Sequence, residues 1–213
     1  DALSELLTRK KIFLTGRQET GEEDRKLSRF KNRKMGIYIL EMDLNDNYKN
    51  NISNIKRKIP VPNEGVPLII CSFTFHYLMK NAKQLENIIL FIDKIVANDG
   101  QVLLLTYDGE KVFNLLKKYN NQYSVSVDGR VKYAITANYP KTNKLSDIGQ
   151  TIKVLLPFSS GEFYQETLVN VNYIIKKFKR FGFSATHKQS FDKFLSKFKE
   201  ENSRVYDLMS DDD

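Results

Sequence analysis

This chain of 213 residues is poor in several residue types, and each scarcity narrows its function. It has one cysteine, Cys71, which excludes an internal disulfide framework and indicates a reducing compartment. Cys71 stands in an apolar run, where a buried and inert thiol is expected. The two histidines, His76 and His187, lie far apart without a metal-ligand spacing, so no metal is expected. No apolar stretch reaches the roughly 20 residues of a membrane helix, and no signal peptide is visible, which predicts a cytoplasmic protein.

Three glycine-centred motifs are also missing. The chain has no Gly-x-x-x-x-Gly-Lys, no Gly-x-Ser-x-Gly and no Gly-x-Gly-x-x-Gly. The last absence matters because a doubly wound cofactor domain carries its glycine loop after its first strand. We therefore expect the chain to begin after that loop, as a fragment of a larger protein. Residues 2–10 have an amphipathic helical pattern, and the charged segment 16–36 is expected to be exposed.

The charge balance is basic. The formal net charge is +8 and the isoelectric point is near 9.3, which favours a polyanionic partner such as nucleic acid. Most lysine-rich segments are expected to be solvated faces, which together allow a positive track for phosphates. These segments are 9–11, 29–34, 56–58, 176–180 and 193–199.

Hydrophobic patterning predicts one α/β domain over residues 1–213. Strands and helices alternate in the first part, which is typical of a parallel, doubly wound sheet. The expected elements there are a strand at 36–42, a helix at 47–57, a strand at 66–71, a helix at 77–96, a turn at 98–100, a strand at 101–106 and a helix at 108–119. The second part predicts an antiparallel portion, followed by helices. Its expected elements are strands at 123–127, 131–139 and 151–156, a helix at 162–181 stopped by Gly182, a strand at 183–187 and a helix at 191–199.

The segment from Ile69 to Leu78 is the most informative one. An apolar run that predicts a buried strand opens onto Phe73, His76 and Tyr77. Ligands of open α/β sheets bind at the carboxyl ends of the strands. Two aromatic rings and an imidazole at that edge suit a flat ligand such as a nucleobase. The alternative is that Phe73 and Tyr77 are ordinary core residues.

Two carboxylates are further candidates. Asp43 follows the predicted first strand, where it could accept hydrogen bonds from an adenine amine or a ribose hydroxyl. Alternatively, Asp43 or Asp46 caps the helix that begins near Asn47. Glu166 stands among aromatic residues, where it could pair with the N1–H and N2 amine edge of a guanine. Its alternative role is a favourable charge in the first turn of the predicted helix.

Three segments in a fixed order point to a known family. Ser-Phe-Thr-Phe-His-Tyr at 72–77 follows one strand, and Thr-Tyr-Asp-Gly-Glu-Lys at 106–111 follows the next. Pro-Phe at 157–158 then leads to Glu-Thr-Leu-Val at 166–169. The chain from residue 1 to about 210 resembles the mRNA cap guanine-N7 methyltransferases, above all those of large-DNA-virus capping enzymes. It departs from that family at Ser72, where glutamine is frequent, and at Thr167, where tyrosine is usual.

The resemblance implies a fold and a reaction. The implied fold is the Rossmann-like class I S-adenosylmethionine-dependent methyltransferase fold, mostly a parallel sheet with an antiparallel C-terminal portion. Its N-terminal part, with the glycine loop, would precede residue 1. The implied reaction transfers a methyl group from S-adenosylmethionine to guanine N7, leaves S-adenosylhomocysteine and needs no metal. The implied partners are capped RNA and a guanylyltransferase/triphosphatase region of the same polypeptide, in the cytoplasm at a viral replication site or in a virion.

The resemblance also implies residue roles. The cap guanine would be bound by Phe73, His76, Tyr77 and Glu166. The cofactor would be bound by Asp43, Leu44, Ser72 and Phe73. All of these are positioning roles, so no acid or base catalyst is expected.

Two other functions compete with this one. A methyltransferase-like subunit without catalysis, which binds RNA or stimulates a capping complex, would lack the glycine loop. A methyltransferase for small molecules or free bases would share the fold, although the basic charge argues against it.

Overall fold

The computed structural model describes residues 38, 40–159 and 161–207. The predictions for residues 2–10 and 16–36 lie outside this range. The described residues form two compact units, one ending at Asn170 and the other beginning at Val171. The single domain over residues 1–213 therefore stays a prediction.

The first unit contains four helices and six strands within its described residues. In chain order they are α1 (Tyr48–Lys58), β1 (Val66–Ser72), α2 (Phe75–Leu78), α3 (Ala82–Ile95), β2 (Val96–Leu105), α4 (Gly109–Lys118), β3 (Gln122–Val127), β4 (Arg130–Ala137), β5 (Thr151–Leu155) and β6 (Phe163–Thr167). The second unit contains α5 (Val171–Lys179), α6 (Phe191–Glu201) and α7 (Ser203–Tyr206). None of the helices within the described ranges is long and apolar enough to cross a bilayer.

Strands β1 and β2 pair in parallel, as the alternating pattern predicts. The predicted turn at 98–100 is wrong, because these residues lie inside β2. Val66 pairs with Val96 and Leu68 with Gln101, so four residues of β2 stand opposite one of β1. The turn-forming residues 98–100 therefore lie in a β-bulge of β2. A Cβ on Gly100 would lie 2.7 Å from the Val96 side chain, so the bulge favours glycine.

The long helix predicted over 77–96 is two helices, α2 and α3. Asn81 separates them, because its side chain accepts a hydrogen bond from Gln84 N and caps α3. The break leaves α2 as a single short turn directly after β1. Residues 38 and 40–42 are not in a strand, so the strand predicted at 36–42 is wrong for its described part.

The antiparallel portion is confirmed. Its strands lie in the order β3-β4-β5-β6, each antiparallel to its neighbour. The amphipathic helix α4 packs Phe113 and Leu116 against Ile152, Val154 and Leu168. Asp108 caps this helix by accepting hydrogen bonds from Glu110 N and Lys111 N.

The helix predicted over 162–181 is wrong in its first part. Residues Phe163–Thr167 form β6, which pairs with β5 along its whole length. Aromatic and β-branched residues suit a strand, and the open edge of β5 supplies the partner that local propensity does not reveal. The second part is confirmed as α5, and Gly182 follows it with a φ of +87°. Residues 183–187 form no strand, so that prediction is wrong.

The chain is therefore an α/β protein with a parallel pair and an antiparallel sheet. Among the described residues the antiparallel sheet has more strands than the parallel pair. The Rossmann-like methyltransferase fold stays a prediction.

Candidate functional site

The end of β1 is a strained turn at Phe73. Its φ is +48°, a left-handed conformation that is uncommon for a bulky side chain. Such a conformation costs on the order of 1–3 kcal/mol, and strained residues of this kind cluster at functional sites. The Phe73 amide donates to Leu105 O at 2.8 Å, which holds this turn against the end of β2. The Phe73 side chain is 48% exposed, so it is not a core residue.

Helix α2 places a buried imidazole beside an exposed phenol. Phe75 and Leu78 are buried and anchor the helix in the core. His76 is 6% exposed and Tyr77 is 52% exposed, and their ring centroids lie 4.0 Å apart. The core alternative for Tyr77 is therefore wrong. Helix α2 therefore exposes the ring of Tyr77 to solvent and buries the ring of His76.

Strand β6 brings Glu166 to this pair. Glu166 Oε1 lies 3.9 Å from His76 Nε2, and the Glu166 side chain is 13% exposed. In the register of the sheet, Glu166 stands opposite Ile152, a buried core residue. Its alternative role as a helix first-turn charge is wrong, because Glu166 lies on a strand. The structure therefore brings Glu166 to His76 and Tyr77, although Glu166 follows His76 by 90 residues in the chain.

Burial governs the electrostatics of this cluster. It raises the pKa of Glu166 above the ordinary value of 4.5 and lowers the pKa of His76 below 6.5. A strong ion pair would shift both pKa values in the opposite directions. We conclude that desolvation outweighs the attraction across 3.9 Å, and that the imidazole is neutral near pH 7. Burial also raises the pKa of Tyr77, and the charges of Glu166 and Tyr164 add to this effect.

His76 also carries an unused polar atom. Its Nδ1 is buried and has no hydrogen-bond partner within the described part of the chain. An unsatisfied buried polar group costs about 1–3 kcal/mol, so such groups usually have an explanation. A ligand that hydrogen-bonds to Nδ1 would remove this cost.

Two residues near the cluster escaped the sequence-based predictions. Tyr107 follows β2, its ring centroid lies 5.8 Å from that of His76, and its hydroxyl donates to Thr167 O. Burial raises the pKa of Tyr107, with smaller contributions from Glu166 and Tyr77. Its position after a strand was a usable signal. Tyr164 lies on the same face of β6 as Glu166, because side chains alternate along a strand. The helix predicted for this segment gave no indication of it.

The cofactor candidates lie in a separate turn and at the end of β1. Asp43 is exposed, and its Oδ1 accepts from Asn45 N at 2.8 Å and from Asn45 Nδ2 at 3.1 Å. Leu44 is half-buried, and Ser72 is exposed. No hydrogen bond or ion pair in the described ranges joins Asp43 to His76 or Glu166.

Neither aspartate is the cap of α1. Asn47 is the N-cap, and its side chain accepts from Lys49 N. The turn before it is fastened by Asn87, whose side chain donates to Asp46 O at 2.7 Å. The Asn87 side chain also accepts from Tyr48 N at 2.9 Å. The capping alternative for Asp43 and Asp46 is therefore wrong.

The remaining candidates do not form a site. Cys71 is half-buried, and burial raises the pKa of its thiol, which disfavours a nucleophilic thiolate. His187 is exposed and hydrogen-bonds with Gln189 at 2.8 Å. No group of three or more metal-binding side chains occurs among the residues that the structure describes.

Comparison with known proteins shows a relationship to viral capping enzymes. No family model matches the chain. The whole chain aligns over 216 residues with proteins named mRNA-capping enzyme from two African swine fever virus isolates, at 34% identity. The same enzyme from a third strain is also 34% identical over 216 residues. The chain spans 23% of the length of these relatives. It is thus homologous to one part of the viral capping enzymes.

Proposed function

We propose that this chain transfers the methyl group of S-adenosylmethionine to N7 of the guanine cap of mRNA. The observation that carries the proposal is the cluster at the end of β1. A half-buried carboxylate, Glu166, lies against His76, with the exposed ring of Tyr77 beside them. The homology to proteins named mRNA-capping enzyme supports a role in capping.

The cluster suits guanine for a chemical reason. A carboxylate accepts two parallel hydrogen bonds, which matches the N1–H and N2 amine donors of that base. The exposed rings of Phe73 and Tyr77 offer flat apolar surfaces for the base. In this arrangement the guanine is bound and oriented by Phe73, His76, Tyr77 and Glu166.

The reaction requires positioning rather than proton transfer. Guanine N7 has a free lone pair, so no general base is needed to activate it. Holding two reactants in line can contribute about 7–11 kcal/mol at best. Burial is the first cause of the pKa shifts at His76, Tyr77 and Glu166, so a bound base would meet partly desolvated polar groups.

The proposal also places the cofactor, on the donors and acceptors near the end of β1 and in the turn at Asp43. Ser72 is exposed at the carboxyl end of β1, and Phe73 exposes its ring beside it. Asp43 uses only Oδ1 for its hydrogen bonds in the described residues, which leaves Oδ2 for an adenine amine. Leu44 supplies an apolar neighbour. These groups fit an adenosine, and S-adenosylmethionine would supply an electrophilic sulfonium methyl.

The same proposal includes two partners. Capped RNA fits the net charge of +8. A guanylyltransferase/triphosphatase region of the same polypeptide is proposed because the relatives extend far beyond the matched 23%.

The decisive experiment is made on the full-length protein that carries this chain. Calorimetric titration with S-adenosylhomocysteine should show binding, and labelled methyl should pass from S-adenosylmethionine to N7 of capped RNA. Binding of capped RNA without binding of S-adenosylhomocysteine would instead support a non-catalytic RNA-binding or stimulatory subunit. Transfer to free guanine bases at equal efficiency would support a small-molecule methyltransferase.

A further inference from the structure

Tyr107 connects the end of β2 to the strand that carries Glu166. Its hydroxyl donates to Thr167 O, and its ring lies beside His76 with 5.8 Å between the centroids. Thr167 is the residue next to Glu166, at the end of β6. Tyr107 therefore contacts both the strand that carries Glu166 and the ring of His76.

The peptide after Thr167 is held from two sides. Its carbonyl oxygen accepts from Tyr107, and its amide nitrogen, on Leu168, donates to Gln150 O at 2.7 Å. One bond comes from the exit of β2, and the other comes from the residue that precedes β5. A peptide plane with both polar groups engaged has little freedom to rotate. The orientation of the neighbouring Glu166 is limited accordingly.

Gly109 strengthens the same connection. Its amide donates to Val169 O at 3.0 Å, and Val169 lies two residues after Thr167, which accepts from Tyr107. A Cβ at this position would lie 2.5 Å from Val169 O, so only glycine allows this approach. The two bonds join the segments 107–109 and 167–169 in register.

From this geometry we infer that Tyr107 is a positioning residue that sets the placement of Glu166 against the guanine edge. The inference rests on the proposed function, because it assumes that Glu166 reads the N1–H and N2 amine of the cap. Tyr107 then affects the selectivity for guanine indirectly, because its hydrogen bond fixes the peptide after Thr167 and thereby the position of Glu166. A base that lacks the N2 amine makes one hydrogen bond fewer to Glu166. Its binding energy therefore falls less when the carboxylate moves.

The test compares RNA capped with guanosine and with inosine, which lacks the N2 amine. For the full-length protein, kcat/KM is measured on both substrates. Tyr107→Phe keeps the ring and removes the hydroxyl, so the guanosine-to-inosine ratio should fall roughly tenfold, as expected for a displaced hydrogen bond. Transfer to inosine caps should change little. Tyr133→Phe, at an exposed position on β4, serves as the control and should leave the ratio unchanged.

Several outcomes separate the possibilities. Equal losses on both substrates would leave the ratio unchanged, show a structural role for Tyr107 alone and overturn the inference, and so would no loss on either substrate. Equal transfer to guanosine and inosine caps by the wild-type protein would overturn the inference alone, whereas no methyl transfer to guanosine caps would overturn the proposed function itself. If Tyr107→Phe does not fold, 3-fluorotyrosine at position 107 keeps the hydroxyl as a stronger donor. It should preserve the wild-type ratio, and a lowered ratio would contradict the inference.

Discussion

Two carboxylates, Glu166 and Asp43, lie in contrasting environments. Glu166 is 13% exposed on a strand, beside a buried imidazole, and burial raises its pKa. Asp43 is exposed in a turn and accepts hydrogen bonds from Asn45. Burial makes each hydrogen bond to Glu166 more valuable, because water competes poorly for a partly desolvated group. The same chemical group is thus suited to selective recognition at one place and to weak, adaptable contact at the other.

The largest expected effect is the loss of Glu166. Glu166→Ala should lower kcat/KM for capped RNA by roughly 100-fold or more, because truncating one partner of a buried, charged hydrogen-bond pair costs about 2–5 kcal/mol. Methyl transfer is measured with wild type and variant under the same conditions. His187→Ala, at an exposed position, is the control and should retain activity. Equal activity of the two variants would refute the assignment of Glu166.

The next prediction concerns pH. Glu166 must be ionised to accept two hydrogen bonds, and burial raises its pKa above 4.5. Activity should therefore fall as the pH drops through a pKa higher than that of an ordinary glutamate. Burial favours the neutral forms of the neighbouring groups, because it lowers the pKa of His76 and raises the pKa values of Tyr77 and Tyr107. The pH profile of kcat/KM measures this, and Glu166→Gln should remove the acidic limb.

The stability consequence has a definite sign. Since the folded-state pKa of Glu166 is raised, the ionised carboxylate destabilises the folded state at pH values above that pKa. Glu166→Gln should therefore increase the free energy of unfolding near pH 7. The increase should shrink as the pH falls through the raised pKa and vanish below about 4.5, where the carboxyl is protonated in both states. Urea unfolding at several pH values checks this, and a gain that is constant with pH would contradict it.

A further prediction concerns the backbone that holds Glu166. Gly109→Ala should destabilise the fold by about 1–3 kcal/mol, the usual cost of overpacking. The added methyl group would lie within 2.8 Å of three Val169 backbone atoms. Glu110→Ala, at the adjacent exposed helix position, is the matched control. Urea unfolding should separate the two variants, and equal midpoints would show that the backbone relaxes freely.

The smallest expected effect is at Asp43. Asp43→Asn keeps an oxygen for Asn45 and replaces the other with an amide group. It should weaken S-adenosylhomocysteine binding by about threefold, since an exposed hydrogen bond contributes about 0.5–1.5 kcal/mol. Calorimetry measures this, with Asp46→Asn as the control. An unchanged affinity for both variants would remove Asp43 from the cofactor site and sharpen its contrast with Glu166.

Some elements followed directly from local patterns. The helix predicted at 108–119 is found as α4, Gly109–Lys118, within one residue at each end, and Asp108 caps it. The apolar run 66–71 predicted β1, and the turn-separated runs predicted β3, β4 and β5. The expectation that β1 is buried is wrong in part, because Leu68 and Ile70 are exposed. These elements have strong signals within a few residues, because caps, turns and periodicity are local properties.

Other elements depended on distant partners. The segment 163–167 resembled the start of a helix, yet it became β6 because β5 offered an open edge. The turn-forming residues at 98–100 became a bulge, because both flanking parts of β2 pair with β1. Neither outcome can be found in the residues themselves, since each depends on hydrogen bonds to another strand.

The amino-acid sequence by itself determined which groups this protein could use for recognition: the two rings and the imidazole at 73–77, and the carboxylate at 166. Only the tertiary structure decided that His76 is buried, that Tyr77 is exposed and that Glu166 lies 3.9 Å from the imidazole. Only the tertiary structure brought Tyr107 to the strand beside them. The reason is physical: residue type sets which hydrogen bonds and charges are available, whereas burial and distance, which set their strength, arise when separate segments pack together.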